Sequence, residues 1–82
     1  MAATKLSAYG PWKELTKAEA YAAPPAFVLT IVDGDTDDWA ASVGFHFVNV
    51  VSYWRATKPM PPDLFVEDVW LDERGWPVEG DE

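Results

Sequence analysis

The sequence predicts an α+β fold in which one N-terminal helix, at about residues 11–23, packs on a small antiparallel sheet. Three observations predict this fold. Residues 11–23 carry apolar side chains at helical spacing, residues 26–32 form a short β-branched run, and residues 64–71 set two carboxylates among six apolar side chains. A chain of 82 residues makes a single small domain. We expect its ends, residues 1–9 and 79–82, to be flexible.

The predicted helix begins at Pro11, since a proline at the first helical position loses no helical hydrogen bond. Its apolar face is formed by Trp12, Leu15 and Ala18. Pro24 and Pro25 end it, because the residue before a proline is kept out of the helical conformation.

The predicted sheet has four strands, at about residues 26–32, 44–55, 64–71 and 76–78. The first is apolar on both faces apart from Thr30, which indicates a well-covered strand. Residues 72–75 form a turn that ends in glycine, so the last two strands make a hairpin. The proline in the last strand places that strand at an edge of the sheet.

Residues 39–54 fit two interpretations. A helix would align five apolar side chains on one face, namely Trp39, Val43, Phe47, Val50 and Trp54. The valines and aromatic residues favour a strand, and Gly44 disfavours a helix interior. We favour a strand over residues 44–55 and keep the helix as the alternative.

The strand that ends at residue 54 leads into a proline-rich segment. Residues 50–54 read Val-Val-Ser-Tyr-Trp, and residues 58–62 read Lys-Pro-Met-Pro-Pro. This part of the chain resembles the close of certain short phage and prophage domains of unknown function, in which a strand ends in tryptophan and runs into a P-x-P-P segment. This chain departs from them by continuing for twenty more residues. The resemblance implies an origin in a mobile element and implies no activity.

The charge of the chain is strongly negative, with fourteen acidic and six basic residues and a formal net charge of -8. The last twenty residues hold eight of the acids and one base. Direct binding to nucleic acid is excluded as a function class, because it needs clustered Lys and Arg. A protein partner with a basic surface fits the charge.

The composition also limits the compartment and the kinds of site. The absence of cysteine excludes disulfides and thiolate metal sites and fits a reducing compartment. The longest uncharged run, residues 39–54, is shorter than the ~20 apolar residues of a membrane span, so no membrane association is expected. We expect a soluble protein of the cytoplasm, which is the host cytoplasm if a phage encodes it.

No catalytic, cofactor or metal site is predicted. Counted from Asp33, the acidic loop has carboxylates at alternate positions, as calcium loops do, but Asp38 and Gly44 stand where such a loop needs glycine and glutamate. His46 is the only histidine and has no nucleophile in a recognisable motif. We therefore predict that the protein is not an enzyme.

Acidic and aromatic side chains are the candidate contact residues for a partner. Because five tryptophans are many for so small a core, we expect Trp54 and Trp70 to be buried and Trp39 and Trp76 to be exposed. The predicted partner-binding residues are Asp35, Asp37, Asp38, Trp39, Glu67, Asp68, Asp72, Glu73 and Trp76.

These features predict a small acidic protein-binding module, encoded by a phage or other mobile element. It would inhibit a host protein by covering a basic surface, including one that binds nucleic acid, as anti-CRISPR and anti-restriction factors do. The alternative is a structural or assembly component of a phage particle that acts as a homo-oligomer. A stable oligomer formed without any partner would favour that alternative.

Overall fold

A computed structural model describes residues 6–33, 39–44 and 49–79 of the chain. These residues form six strands, one short helix and two single-turn 3-10 helices, at Leu6–Tyr9 and Pro25–Phe27. The strands and the helix are β1 (Lys13–Leu15), α1 (Lys17–Ala22), β2 (Val28–Asp33), β3 (Trp39–Val43), β4 (Val50–Arg55), β5 (Phe65–Leu71) and β6 (Pro77–Glu79).

All six strands belong to one sheet in the order β1-β4-β2-β3-β5-β6, and every neighbouring pair is antiparallel. In the centre, Ile31 on β2 lies opposite Ala41 on β3 and Ser52 on β4. The register shifts once between β2 and β4 and once between β3 and β5. Such bulges bend a strand and increase its twist.

The two faces of the sheet follow from this register, because paired residues share a face and successive residues alternate. We call the inner face the one that carries Leu29, Ile31, Ala41, Trp54, Val66 and Val69, all of them buried in the larger core cluster. The 3-10 turn at Leu6 and the Met60 segment also pack into this cluster. We call the opposite face the outer face, and its smaller cluster holds Leu15, Ala20, Val28 and Tyr53.

The predicted fold class is wrong, although the antiparallel sheet itself is confirmed. The predicted helix at residues 11–23 is replaced by strand β1 and a helix of six residues. The physical reason is a helix cap at Thr16, whose side chain accepts a hydrogen bond from the N–H of Glu19 at 3.1 Å. The Glu19 carboxylate accepts the N–H of Thr16 in return, at 2.9 Å. A capped helix begins after its cap, so the residues before Thr16 are free to pair with β4.

Some of the predicted strands agree with the structure and others do not. Strand β2 corresponds to residues 26–32, β5 to residues 64–71 and β6 to residues 76–78. Of the single strand predicted over residues 44–55, β4 accounts for Val50–Arg55, while residues 45–48 lie outside the described residues. Strand β3 precedes it and was not predicted. The helical alternative for residues 39–54 is wrong in the described part, where Gly44 follows β3 with a φ of 103°, far from helical values.

Two further expectations concern the ends of the chain and the membrane. The expected flexible ends include residues 1–5 and 80–82, which lie outside the described residues. In the described part, Leu6 is fully buried and Glu79 belongs to β6. No helix in this part has the length and apolar character to cross a bilayer.

Candidate functional site

Helix α1 covers only one half of the outer face. It packs against β1 and β4, where Tyr21 meets Tyr53 edge to face with ring centroids 6.4 Å apart. Burial, and next the neighbouring Tyr21, raise the pKa of the Tyr53 phenol above its ordinary value. A helix of six residues is about 9 Å long. A sheet of six strands is about 24 Å wide, so the strands at the far side lie beyond the helix.

The half of the outer face that lies beyond α1 carries two exposed aromatic side chains on β5. Phe65 is 55% exposed and Trp70 is 47% exposed. Phe65 lies opposite Ser42, and Glu67 lies opposite Ala40 on the neighbouring strand, so both point outwards. We call Phe65, Glu67 and Trp70 the outer patch.

A bulge at Asp68 brings Glu67 and Trp70 onto the same face. These residues are three apart, so strict alternation would send them to opposite faces. Asp68 has a φ of 58°, and the register shifts here, because Ala40 pairs with Glu67 while Trp39 pairs with Val69. Aspartate tolerates this left-handed conformation better than most residues. The extra residue returns Val69 to the core and turns Trp70 outwards.

The turn between β5 and β6 is held by Asp72. Its carboxylate accepts the backbone N–H groups of Arg74 at 2.9 Å and Trp76 at 3.0 Å. It also accepts the Arg74 guanidinium, with Nη2 at 2.7 Å and Nε at 3.1 Å. The N–H of Trp76 is the largest cause of the lowered pKa of Asp72. Desolvation is the next effect and opposes it, while the hydrogen bonds and charge of Arg74 lower the pKa further. Asp72 therefore builds the turn.

The guanidinium of Arg74 also lies over the ring of Trp76, 4.0 Å from its centroid. This contact is a cation–π interaction on one face of the indole. Gly75 completes the turn with a φ of 84°, and its N–H donates to the Asp72 carbonyl at 2.9 Å. The predicted turn at residues 72–75 is confirmed.

The structure separates the predicted partner-binding residues. Asp35, Asp37 and Asp38 lie outside the described residues. Glu67, Asp68 and Glu73 are exposed on β5 or on the turn that follows it. The expectation that Trp39 and Trp76 are exposed is wrong, because both are half-buried and pack against the larger core cluster.

The predicted burial of the tryptophans is half right. Trp54 is buried, and its Nε1 donates to Ser52 Oγ at 2.8 Å, so that prediction is confirmed. The prediction that Trp70 is buried is wrong, since about half of this residue is exposed. Phe65 was missed as a candidate, although it stands directly before the apolar Val66, whose burial requires its neighbour to face the other way.

Within residues 6–33, 39–44 and 49–79, no three histidine or acidic side chains come together as metal ligands. Comparison of the chain with protein-family models, curated proteins and solved structures found no match.

Proposed function

We propose that this chain is a small acidic protein-binding module that docks its outer patch on a basic, partly apolar surface of a partner protein. The observation that carries the proposal is the exposure of Phe65 and Trp70 on one face of a folded strand, with Glu67 between them. Large aromatic side chains are the residues that most often dominate the energy of protein interfaces.

The arrangement of the patch fits an interface better than it fits solubility alone. A solubilising surface needs charged side chains, and exposed aromatic rings work against it. Here two rings are exposed although the chain has a net charge of -8 and carboxylates on the same strand. Exposed apolar side chains beside polar groups are typical of docking sites.

The charge supports a basic partner. Glu67 lies within the patch, while Asp72 is already paired with Arg74, so Glu67 is the carboxylate of the patch that can meet a cation. A negative surface also attracts a basic protein over distance and raises the association rate, an effect that salt suppresses.

The partner can be captured by a variant that carries a photo-crosslinking amino acid at position 65. The purified variant is added to lysate of the source cell and irradiated. The matched control carries the same residue at Tyr21, which is 45% exposed on the covered half of the outer face. We expect position 65 to capture a basic protein and position 21 not to capture it. Equal capture from both positions would contradict the proposal.

Binding of the purified partner then tests the patch directly. We expect Trp70→Ala and Phe65→Ala each to weaken binding by more than ~1 kcal/mol, or about fivefold in Kd, and Tyr21→Ala to leave it unchanged. Unchanged binding in both patch variants would refute the proposal. A pure wild-type chain that forms a dimer, dispersed by the same two variants, would show that the patch joins copies of this chain instead.

The sequence-based prediction of an inhibitor from a phage or other mobile element stays a prediction. It adds one requirement to the proposal, namely that the partner's basic surface also binds nucleic acid. Competition between this chain and nucleic acid for the captured partner measures that requirement.

A further inference from the structure

A second candidate site lies at the β1–β4 side of the sheet. Strand β1 pairs with β4 through three residues, and the last pair is Leu15 opposite Tyr53. The chain then leaves the sheet, because Thr16 caps helix α1 and the helix begins at Lys17. Strand β4 already begins at Val50, so its first half extends beyond the end of β1.

The first half of β4, residues 50–52, pairs with β2 on one side only. Val51 falls at the register shift between Ile31 and Val32 and has no partner in either neighbouring strand. Among the residues that the structure describes, no strand lies along the other side of residues 50–52. Backbone N–H and C=O groups alternate between the two sides of a strand, so at least one of these three residues presents them there. We call residues 50–52 the open edge.

A cleft of about 410 Å³ opens at this position. It is lined by the end of β1, by Lys17 and Tyr21 of α1 and by residues 50–53 of β4. Its volume lies within the ~300–1,000 Å³ of typical ligand sites. Three residues of an extended strand are about 10 Å long. The cleft therefore offers room for a short extended segment in the place that a longer β1 would take.

The open edge selects a peptide backbone as the occupant. An unpaired strand edge presents donors and acceptors at the spacing of a sheet, which is the pattern that an added strand satisfies. Many proteins block such an edge with lysine or proline. Residues 50–52 read Val-Val-Ser and contain neither, and the two valines favour the extended conformation.

The side chains around the cleft restrict the chemistry of the segment. Leu15 and Tyr53 belong to the smaller core cluster and Val50 packs against it, so an apolar side chain directed towards α1 would extend that cluster. Glu14 is exposed on the opposite face of β1 from Leu15, where it can meet a basic side chain. The net charge of -8 disfavours an acidic segment.

We propose that this cleft binds an extended, non-acidic segment of a partner protein, which pairs with the open edge as an added strand in line with β1. Apolar side chains of the segment face α1, and a basic side chain lies on the other face. A second copy of this chain is a poorer occupant, since both copies carry the charge of -8. Strand β4 is three strands from β5, about 14 Å across the sheet, so this site does not rest on the proposed function.

The test uses the full chain labelled with ¹⁵N and the peptide acetyl-Thr-Val-Lys-Val-Thr-amide as the probe. The two valines of this peptide share one face of an extended strand, and its lysine lies on the other face. We expect the peptide at millimolar concentration to shift the backbone amide signals of residues 50–52 in a saturable way. Hydrogen exchange of at least one of these amides should become slower. The amide signals of β5 should not move.

Two methylated peptides distinguish strand pairing from other kinds of binding. The N–H groups of the two valines point to one edge of the extended peptide, and the N–H of the lysine points to the other edge. N-methylation of the valines blocks the first edge, and N-methylation of the lysine blocks the second. Because only one edge faces β4, we expect one methylated peptide to bind at least about tenfold more weakly than the unmodified peptide. The other should bind within about twofold of it.

The variant Val51→Pro tests the open edge from the side of the protein. Proline has no N–H, and it is not accepted in the middle of a sheet. Val51 has no cross-strand partner to lose, so we expect this variant to fold and to bind the unmodified peptide at least about fivefold more weakly. Phe65→Ala, in the outer patch, is the control and should leave the affinity unchanged. Should Val51→Pro unfold, the two methylated peptides decide the question.

Four outcomes would overturn the proposal. The first is the absence of saturable shifts at residues 50–52. The second is equal binding, or equal loss of binding, for the two methylated peptides, which would show that no strand is added. The third is wild-type affinity in a folded Val51→Pro variant. The fourth is a dimer in sedimentation whose formation shifts the same amides without any peptide, which would identify a second copy as the occupant.

Discussion

The division of the tryptophans between core and outer patch gives a sharp stability test, which needs no partner. Trp54 is 6% exposed in the larger core cluster, whereas Trp70 is 47% exposed. Truncation of a buried tryptophan to alanine costs about 3–5 kcal/mol, because transfer and cavity terms add. Complete burial of a large apolar side chain is worth about 1.5–3 kcal/mol, so half-burial of Trp70 predicts a cost of about 1 kcal/mol.

Thermal and urea unfolding followed by circular dichroism measure both costs. For a domain of this size, 1 kcal/mol corresponds to about 4–8 °C in Tm, so Trp70→Ala should lower Tm by about that amount. Trp54→Ala should lower Tm at least about three times as much, in the ratio of the two estimated costs. Equal losses in the two variants would refute the assignment of Trp70 to the outer face.

Fluorescence quenching gives an independent reading in variants that keep the fold. Replacing Trp70 with phenylalanine removes an indole that acrylamide can reach, so the remaining fluorescence should be less quenched. The same replacement at Trp54 removes a shielded indole, so acrylamide should quench a larger fraction of the remaining tryptophan fluorescence. The reverse order would again show that the faces are wrongly assigned.

Three other predictions concern local interactions. Thr16→Ala should lower the free energy of unfolding by about 1 kcal/mol by removing the helix cap, while Thr16→Ser keeps the cap and should cost less; urea unfolding measures both. Gly75→Ala should cost about 1–2 kcal/mol through its φ of 84°, since no atom stands where the Cβ would go, and Gly75→Asn should cost less, as urea titration would show. Asp72→Asn should lower Tm at pH 7. Because folding lowers the pKa of Asp72, the stabilisation by its carboxylate is present above about pH 4 and is lost as the pH falls through the folded-state pKa. The difference in Tm between the wild-type chain and Asp72→Asn should therefore shrink in acid.

The strands that the sequence predicts well are those with a strong local pattern. Strand β2 is short, β-branched and bounded in the sequence by prolines and aspartates, and five of the seven residues of β5 are apolar. The turn before β6 has glycine at the position that adopts a positive φ. In these segments the local preference and the tertiary structure agree, which is why single-sequence reasoning finds them.

Strand β1 could not be found in this way because its three residues carry no periodicity. Trp12 and Leu15 have helical spacing, yet they enter different core clusters, one on each face of the sheet. A usable signal was present, since Thr16 followed three residues later by Glu19 is a capping box. It indicates a helix that begins after Thr16, in place of one that begins at Pro11.

The error at Trp70 has a specific physical cause. Strict alternation from Val66 places Trp70 on the buried face, because the two residues are four apart. The bulge at Asp68 inserts one residue and reverses the phase for the rest of β5. Bulges depend on the pairing of two strands, and β3 itself was unrecognised, so the outer patch could not be assembled from the sequence.

The carboxylates of the last third of the chain must be tested one at a time, because the structure gives them different roles. Glu67 lies in the outer patch, whereas Asp72 accepts two backbone N–H groups and the Arg74 guanidinium. Neutralising Glu67 should weaken partner binding and leave stability unchanged. Neutralising Asp72 should loosen the turn beside Trp76 and lower stability first. A variant that neutralises both would lose binding for either reason, so Glu67→Gln alone tests whether charge at the patch recognises the partner.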